Sequence, residues 1–186
     1  MEHKIFSGVD EQELWNQIAE DLQNEQALFG YKAIIKQEDR QVLLHVDVDP
    51  GGGFEGGFAF TQFLTSLEDK DFQFAVYKQG LLQEAGKLLG MQDVEIGHPE
   101  FDKKYIIKSN QDEKVRRLFS DYQVRSSLSV LKDFELETTF ETSETSESSS
   151  NMLQLTVEDA VLEEAELRQL FQAFCLIADR LKIERS

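Results

Sequence analysis

Asp93, Glu95, Asp102 and Lys104 gather three carboxylates and an amine in one short stretch, around the dipeptide His98-Pro99. Asp93 and Glu95 straddle Val94, so on an extended backbone both carboxylates point the same way. Pro99 forces a turn after His98, and Phe101 can anchor that turn in a core. Mixed carboxylates and lysines on a rigid turn can line a polar pocket, the basis of a ligand-binding or hydrolytic site, or form a partner surface. They suit a structural corner equally well, with carboxylates accepting backbone N–H groups to fix the turn. The corner is the simpler expectation.

Other constellations carry less. His45, Asp47 and Asp49 alternate along one extended run, and an imidazole with two carboxylates on one face can hold a divalent ion. The same alternation, with valines between, is what any half-exposed strand shows. The run Gly51-Gly52-Gly53-Phe54-Glu55-Gly56 fits the letter of a dinucleotide fingerprint. That fingerprint must open a helix, whereas Pro50 precedes this run and the β-like Phe58-Ala59-Phe60 follows it. A loop between strands is expected there. No G-x-S-x-G elbow occurs, and Cys175 lies among Phe174, Leu176 and Ile177, where a buried inert thiol is expected. No cofactor and no metal site are expected.

The elements that position these residues read clearly. Asp10 with Glu13 forms a capping box for a first helix whose Leu14, Trp15, Ile18 and Leu22 recur at helical spacing. Tyr31–Lys36, Gln41–Asp49, Phe58–Leu64 and Phe72–Lys78 read as strands with short links, including the turns at Glu38-Asp39-Arg40 and Glu68–Asp71. An antiparallel meander is their natural arrangement. A short helix is expected over Leu81–Leu89 and a strand over Lys104–Lys108. Asn110 with Glu113 suggests a second capping box, for a helix through Leu118-Phe119, and another helix is expected over Tyr122–Leu131. Strands at Phe134–Thr139 and Met152–Val157 flank Glu141–Asn151, a Ser/Thr/Glu stretch without apolar residues that reads as a flexible hairpin loop. The last helix carries Leu167, Leu170, Phe171, Phe174, Ile177, Ala178 and Leu181 on one face.

Composition bounds the partners. The 186 residues include 14 Phe and are 40% hydrophobic, enough for a core without disulfide or metal staples. They are expected to form one domain. One cysteine excludes an intramolecular disulfide. Nineteen basic residues against 36 acidic ones, a formal charge of −17, argue against nucleic acid and anionic membranes as partners. No secretory signal and no apolar run near the ~20 residues that span a bilayer are evident, so a soluble cytoplasmic protein is expected.

The segment Lys87–Asn110, KLLGMQDVEIGHPEFDKKYIIKSN, resembles a family of soluble bacterial proteins to which no activity is assigned. The resemblance extends over about Asp71–Lys182 and is most specific in Gly90-Met91-Gln92-Asp93, Pro99-Glu100-Phe101-Asp102 and the Ile106-Ile107-Lys108 strand. His98 stands where an aspartate is common and Ser109 where a glycine is common. The resemblance implies that this unit recurs in bacteria and transfers no catalytic residue. Together these readings describe an α+β fold, an antiparallel sheet of six or more strands partly covered by N- and C-terminal helices. The leading expectation of function is a non-enzymatic protein-interaction module that binds a protein partner or itself. The alternative is a ligand-binding or hydrolytic domain built on residues 93–104.

Overall fold

Among the described residues, most of the expected strands and helices form where their periodicities place them. The computed structural model describes residues 4–8, 10–24, 30–37, 40–51, 56–80, 91–142 and 149–183. Among the described residues the fold is α+β, with nine strands, mostly antiparallel, and five helices, one near each terminus. The helix expected over Leu81–Leu89, the centre of the glycine run and positions 143–148 lie outside the described residues. The chain forms two compact units, Met1–Thr65 with Thr156–Gln172 and Ser66–Leu155 with Ala173–Ser186.

The first unit carries strands β1 (Lys4–Ser7), β2 (Tyr31–Gln37), β3 (Arg40–Asp49) and β4 (Phe58–Ser66), adjacent in that order. Helix α1 (Glu11–Asn24) joins β1 to β2, which pair in parallel, since parallel neighbours need a crossover connection. Strand β1 has no signature in the sequence: four residues are too few for a period, and its pairing with β2 defines it. At the start of α1, Asp10 Oδ1 accepts the Glu13 N–H at 2.8 Å, as the capping box requires. Alternation in β3 buries Val42, Leu44 and Val46 on one face. There they share a core with Leu14, Trp15 and Ile18 of α1 and Phe63 of β4. Phe171, early in helix α5 (Glu164–Ile183), meets both the Trp15 ring at 5.3 Å and the Phe63 ring at 5.8 Å. Arg168 of α5 pairs with Glu11 of α1 at 3.0 Å, and that hydrogen bond holds the Glu11 carboxyl below its usual range. Gly57 is required by close approach, because a Cβ there would lie 2.5 Å from the Asp49 carbonyl oxygen.

The second unit orders its strands β9-β8-β5-β7-β6, where β5 is Phe74–Lys78, β6 Gln92–Asp93, β7 Tyr105–Ser109, β8 Phe134–Thr142 and β9 Ser149–Val157. Strand β5 thus pairs with β7 and β8, correcting the expected four-strand meander. Its partners arrive later in the chain, a choice that link lengths cannot reveal. Helices α2 (Pro99–Lys104), α3 (Asp112–Ser120) and α4 (Tyr122–Ser129) belong to this unit. Their buried Phe101, Val115, Leu118, Phe119, Val124 and Leu128 share its core with Phe74, Val76, Ile107 and Leu136. Phe119 packs on Phe74 at 6.4 Å and on Phe101 at 5.7 Å between ring centroids.

Two local expectations fail for the same reason, a tertiary partner. Asn110 does not cap α3, whose N-cap is Gln111 without a side-chain bond. Its amide instead accepts the Gln73 N–H at 2.9 Å and donates to the Asp71 carbonyl at 2.7 Å, locking the entry to β5. The loop expected over Glu141–Asn151 is shorter than its composition suggests, because β8 continues to Thr142 and β9 begins at Ser149. Asn151 is wholly buried and donates to the carbonyls of Asp69 at 2.7 Å and Phe72 at 2.9 Å. The Asp69 carboxylate completes this knot by accepting Lys114 Nζ at 2.7 Å, which holds its pKa below the usual value.

Candidate functional site

Each residue of the 93–104 stretch has a definite place. Val94 and Ile96 are buried while Asp93 and Glu95 are exposed, the alternation expected of an extended segment. Asp93 lies opposite Lys108 in the β6–β7 register and approaches its Nζ at 3.5 Å. The Glu95 carbonyl accepts an N–H from the Arg116 guanidinium. Its carboxylate makes no hydrogen bond or ion pair among the described residues.

Asp102 forms the structural corner. Its two carboxylate oxygens accept the N–H groups of Ile96 and His98, both at 3.0 Å. These bonds close the turn onto the first residues of α2, where Pro99 occupies an early position that needs no donor. Phe101, 6% exposed, anchors α2 against Tyr105, with ring centroids 4.5 Å apart. Lys104, expected to begin a strand, ends α2 instead; its Nζ donates to the Ser129 carbonyl at 3.3 Å. The four residues therefore do not converge. Asp102 builds the corner, Asp93 pairs on the sheet, Glu95 faces solvent, and Lys104 borders a groove.

That groove, of about 610 Å³, runs between α2 and α4. Phe101 and Tyr105 lie along it, and α4 presents Tyr122, Arg125, Ser126 and Ser129 to it. Spaced i, i+3, i+4 and i+7, these four form one helical face, opposed to the buried Val124 and Leu128. This polar stripe is legible in the sequence as a second period within Tyr122–Leu131 but carries no motif. Arg125 is held in place by donating to the Phe119 and Ser120 carbonyls at 2.5 and 2.7 Å. Asp121 caps α4 by accepting the Gln123 N–H at 2.7 Å, and Arg180 of α5 donates to the same carboxylate at 2.6 Å. The Arg180 hydrogen bond, aided by the cap, holds the Asp121 carboxyl below its usual range.

In the first unit, the sheet face opposite α1 is open at its edge. The register aligns Ile5, Ile34, Leu43 and Leu64 as one row across β1–β4. Ile5 is 57% exposed and Ile34 and Leu43 are half-buried. Lys32 and Lys36 flank this row on β2, while Asp47 and Asp49 lie at the other end of the same face on β3. Phe58 and Phe60, stacked 6.1 Å apart, sit opposite Asp49 and Asp47, and His45 meets Phe60 edge-on at 4.9 Å. Burial, assisted by nearby Lys32, pushes the His45 pKa down.

The His45-Asp47-Asp49 face has the donor types of a cation site but spends its carboxylates on backbone. Asp47 accepts the Gly30 N–H and Asp49 the Gly51 N–H, each at 2.8 Å. No group of three or more His, Cys, Asp or Glu side chains that could hold a metal occurs among the described residues. Cys175 is buried in α5. No described helix is long and apolar enough to cross a membrane. No family model, curated protein or solved structure matches the chain.

Proposed function

We propose that the protein is a non-enzymatic interaction module, and that its partner on the open face of β1–β4 is a second copy of itself. The observation that carries this is the aliphatic row Ile5–Ile34–Leu43, in which Ile5 is exposed and Ile34 and Leu43 stay partly accessible. The charge pattern suits a two-fold contact. An axis lying across the strands brings Lys36, at one end of one copy's face, towards Asp49 at the other end of the second copy's. An isologous interface demands self-complementarity of this kind. Strands of four, seven, ten and nine residues, ~4.8 Å apart and rising ~3.4 Å per residue, offer roughly 490 Å² per copy, a small contact beside the ~800 Å² per partner of a standard interface.

The 93–104 stretch supports hydrolysis less well, because Asp102 is committed to two backbone N–H groups and the remaining carboxylates do not meet it. The acidity supports solubility and disfavours nucleic acid and anionic membrane as partners. Membership in the bacterial family that residues 87–110 resemble fits the same picture.

Sedimentation equilibrium over a dilution series tests the proposal. The wild type is expected to associate as a dimer, and Leu43→Asp to sediment as a monomer with an unchanged circular dichroism spectrum. A wild type that stays monomeric at every concentration refutes self-association, as does a Leu43→Asp variant that dimerises normally.

A further inference from the structure

We propose that the groove between α2 and α4 binds a small organic anion, a carboxylate or phosphate ester carried on a flat apolar ring. This site lies in the second unit and is independent of the sheet-face reading. At about 610 Å³ the groove has the capacity of a small-molecule site. Phe101 and Tyr105, almost fully buried, form a rigid floor with little ring surface exposed, and Tyr122, 73% exposed, supplies the main accessible aromatic surface from α4. An aromatic side chain left in water beside such a surface gains by stacking on a flat ligand.

The polar groups around the groove are mainly donors. Lys104 Nζ, which has three N–H groups, makes one hydrogen bond among the described residues, to the Ser129 carbonyl, and lies 5.1 Å from the Tyr105 ring centroid. Ser127 and Ser129 turn their hydroxyls back onto the carbonyls of Val124 and Arg125. Ser126, on the groove face, makes no such bond among the described residues, and its hydroxyl is available to a ligand. Arg125 is immobilised by two carbonyls at the end of α3, which pre-orients its guanidinium. Lys104 and Arg125 outnumber the single carboxylate of Glu100 in the lining, in a chain of net charge −17. Two cations and a free hydroxyl beside buried rings are the complement of an anionic head on an aromatic body.

Amide chemical-shift titrations of the whole chain with phenyl phosphate, benzoate, inorganic phosphate and phenol test this assignment. Saturable shifts at Lys104, Tyr122 and Ser126 are expected with phenyl phosphate or benzoate, and whichever binds tighter identifies the head group. Phenol and inorganic phosphate, each lacking one half of the ligand, are expected to bind at least about tenfold more weakly. Lys104→Glu is expected to weaken the preferred anion by about tenfold or more, the loss of one charge-assisted hydrogen bond. Its fold is checked by an unchanged spectrum outside the groove. Absence of saturable shifts with both ring-bearing anions overturns the proposal. Phenol or inorganic phosphate binding as tightly, or a Lys104→Glu variant that binds normally, also overturns it.

Discussion

Asn151 is the most exacting test of the second unit, since it sits in a stretch whose composition predicts a loop. Its buried amide supplies both N–H groups to the 66–72 turn, at 2.7 Å to Asp69 and 2.9 Å to Phe72. Its backbone carbonyl accepts the Leu67 N–H at 2.8 Å. Asn151→Ala keeps the backbone bond and strips both carbonyls of their donor. The Phe72 carbonyl is buried and its orphaning costs about 1–3 kcal/mol, while the partly accessible Asp69 carbonyl costs about 1 kcal/mol. Asn151 Oδ1 has no hydrogen-bond partner among the described residues, so deleting it returns up to about 1 kcal/mol. The net loss is about 1–4 kcal/mol, or a fall of roughly 2–16 °C in Tm for a chain of this size.

Asn151→Asp sharpens the test through pH. It replaces the donor with a carboxylate facing two carbonyl oxygens, so its folded-state pKa must rise above the unfolded value of about 3.9. With a raised folded pKa, the folded state holds the proton longer, and stability falls as pH rises from about 4 towards that pKa. Each pH unit within this window is worth about 1.4 kcal/mol. Urea denaturation followed by far-UV circular dichroism at pH 5 and pH 7 measures both effects. Asn151→Asp is expected to fall below Asn151→Ala at pH 7 and to recover towards it at pH 5. An alanine variant within about 0.5 kcal/mol of wild type, the usual scatter of surface changes, refutes the knot. An aspartate variant with no pH dependence relative to wild type refutes it too.

Three further outcomes are expected. Asp102→Ala orphans the Ile96 and His98 N–H groups and should cost about 1–3 kcal/mol, with exchange protection lost first at those two amides. Asp121 has a folded pKa below its unfolded one, so it contributes stability above the unfolded pKa that is lost as pH falls through the folded one. Asp121→Asn should therefore lower stability at neutral pH and flatten the acid limb of a stability–pH curve, and an unaltered limb would contradict the Arg180 pairing. Gly57→Ala drives a Cβ into the Asp49 carbonyl and should destabilise by about 1–3 kcal/mol, measured by thermal melting; a neutral effect would show that the β3–β4 approach is looser than described.

The α+β class, the amphipathic α1 and α5, and most strand positions are legible in the residue order. Those features depend on local periodicity: Val42, Leu44 and Val46 alternate, and Leu14, Trp15 and Ile18 recur at helical spacing, whatever lies across from them. The corner at His98-Pro99 is legible too, because a proline and a carboxylate acting within a few residues need no distant partner. Features that depend on pairing between remote segments emerge only in the folded chain. Strand β1 exists through β2, β5 chooses β7 and β8, and Asn110 and Asn151 serve backbone groups 37–39 and 79–82 positions away rather than their own neighbours. The candidate sites belong to that second class. The Ile5–Ile34–Leu43 row is assembled by register across three strands, and the groove brings Lys104 to the Tyr122–Ser129 face of another helix. Local spacing encodes which face of an element is apolar, but which two faces meet is set by the packing free energy of the whole unit.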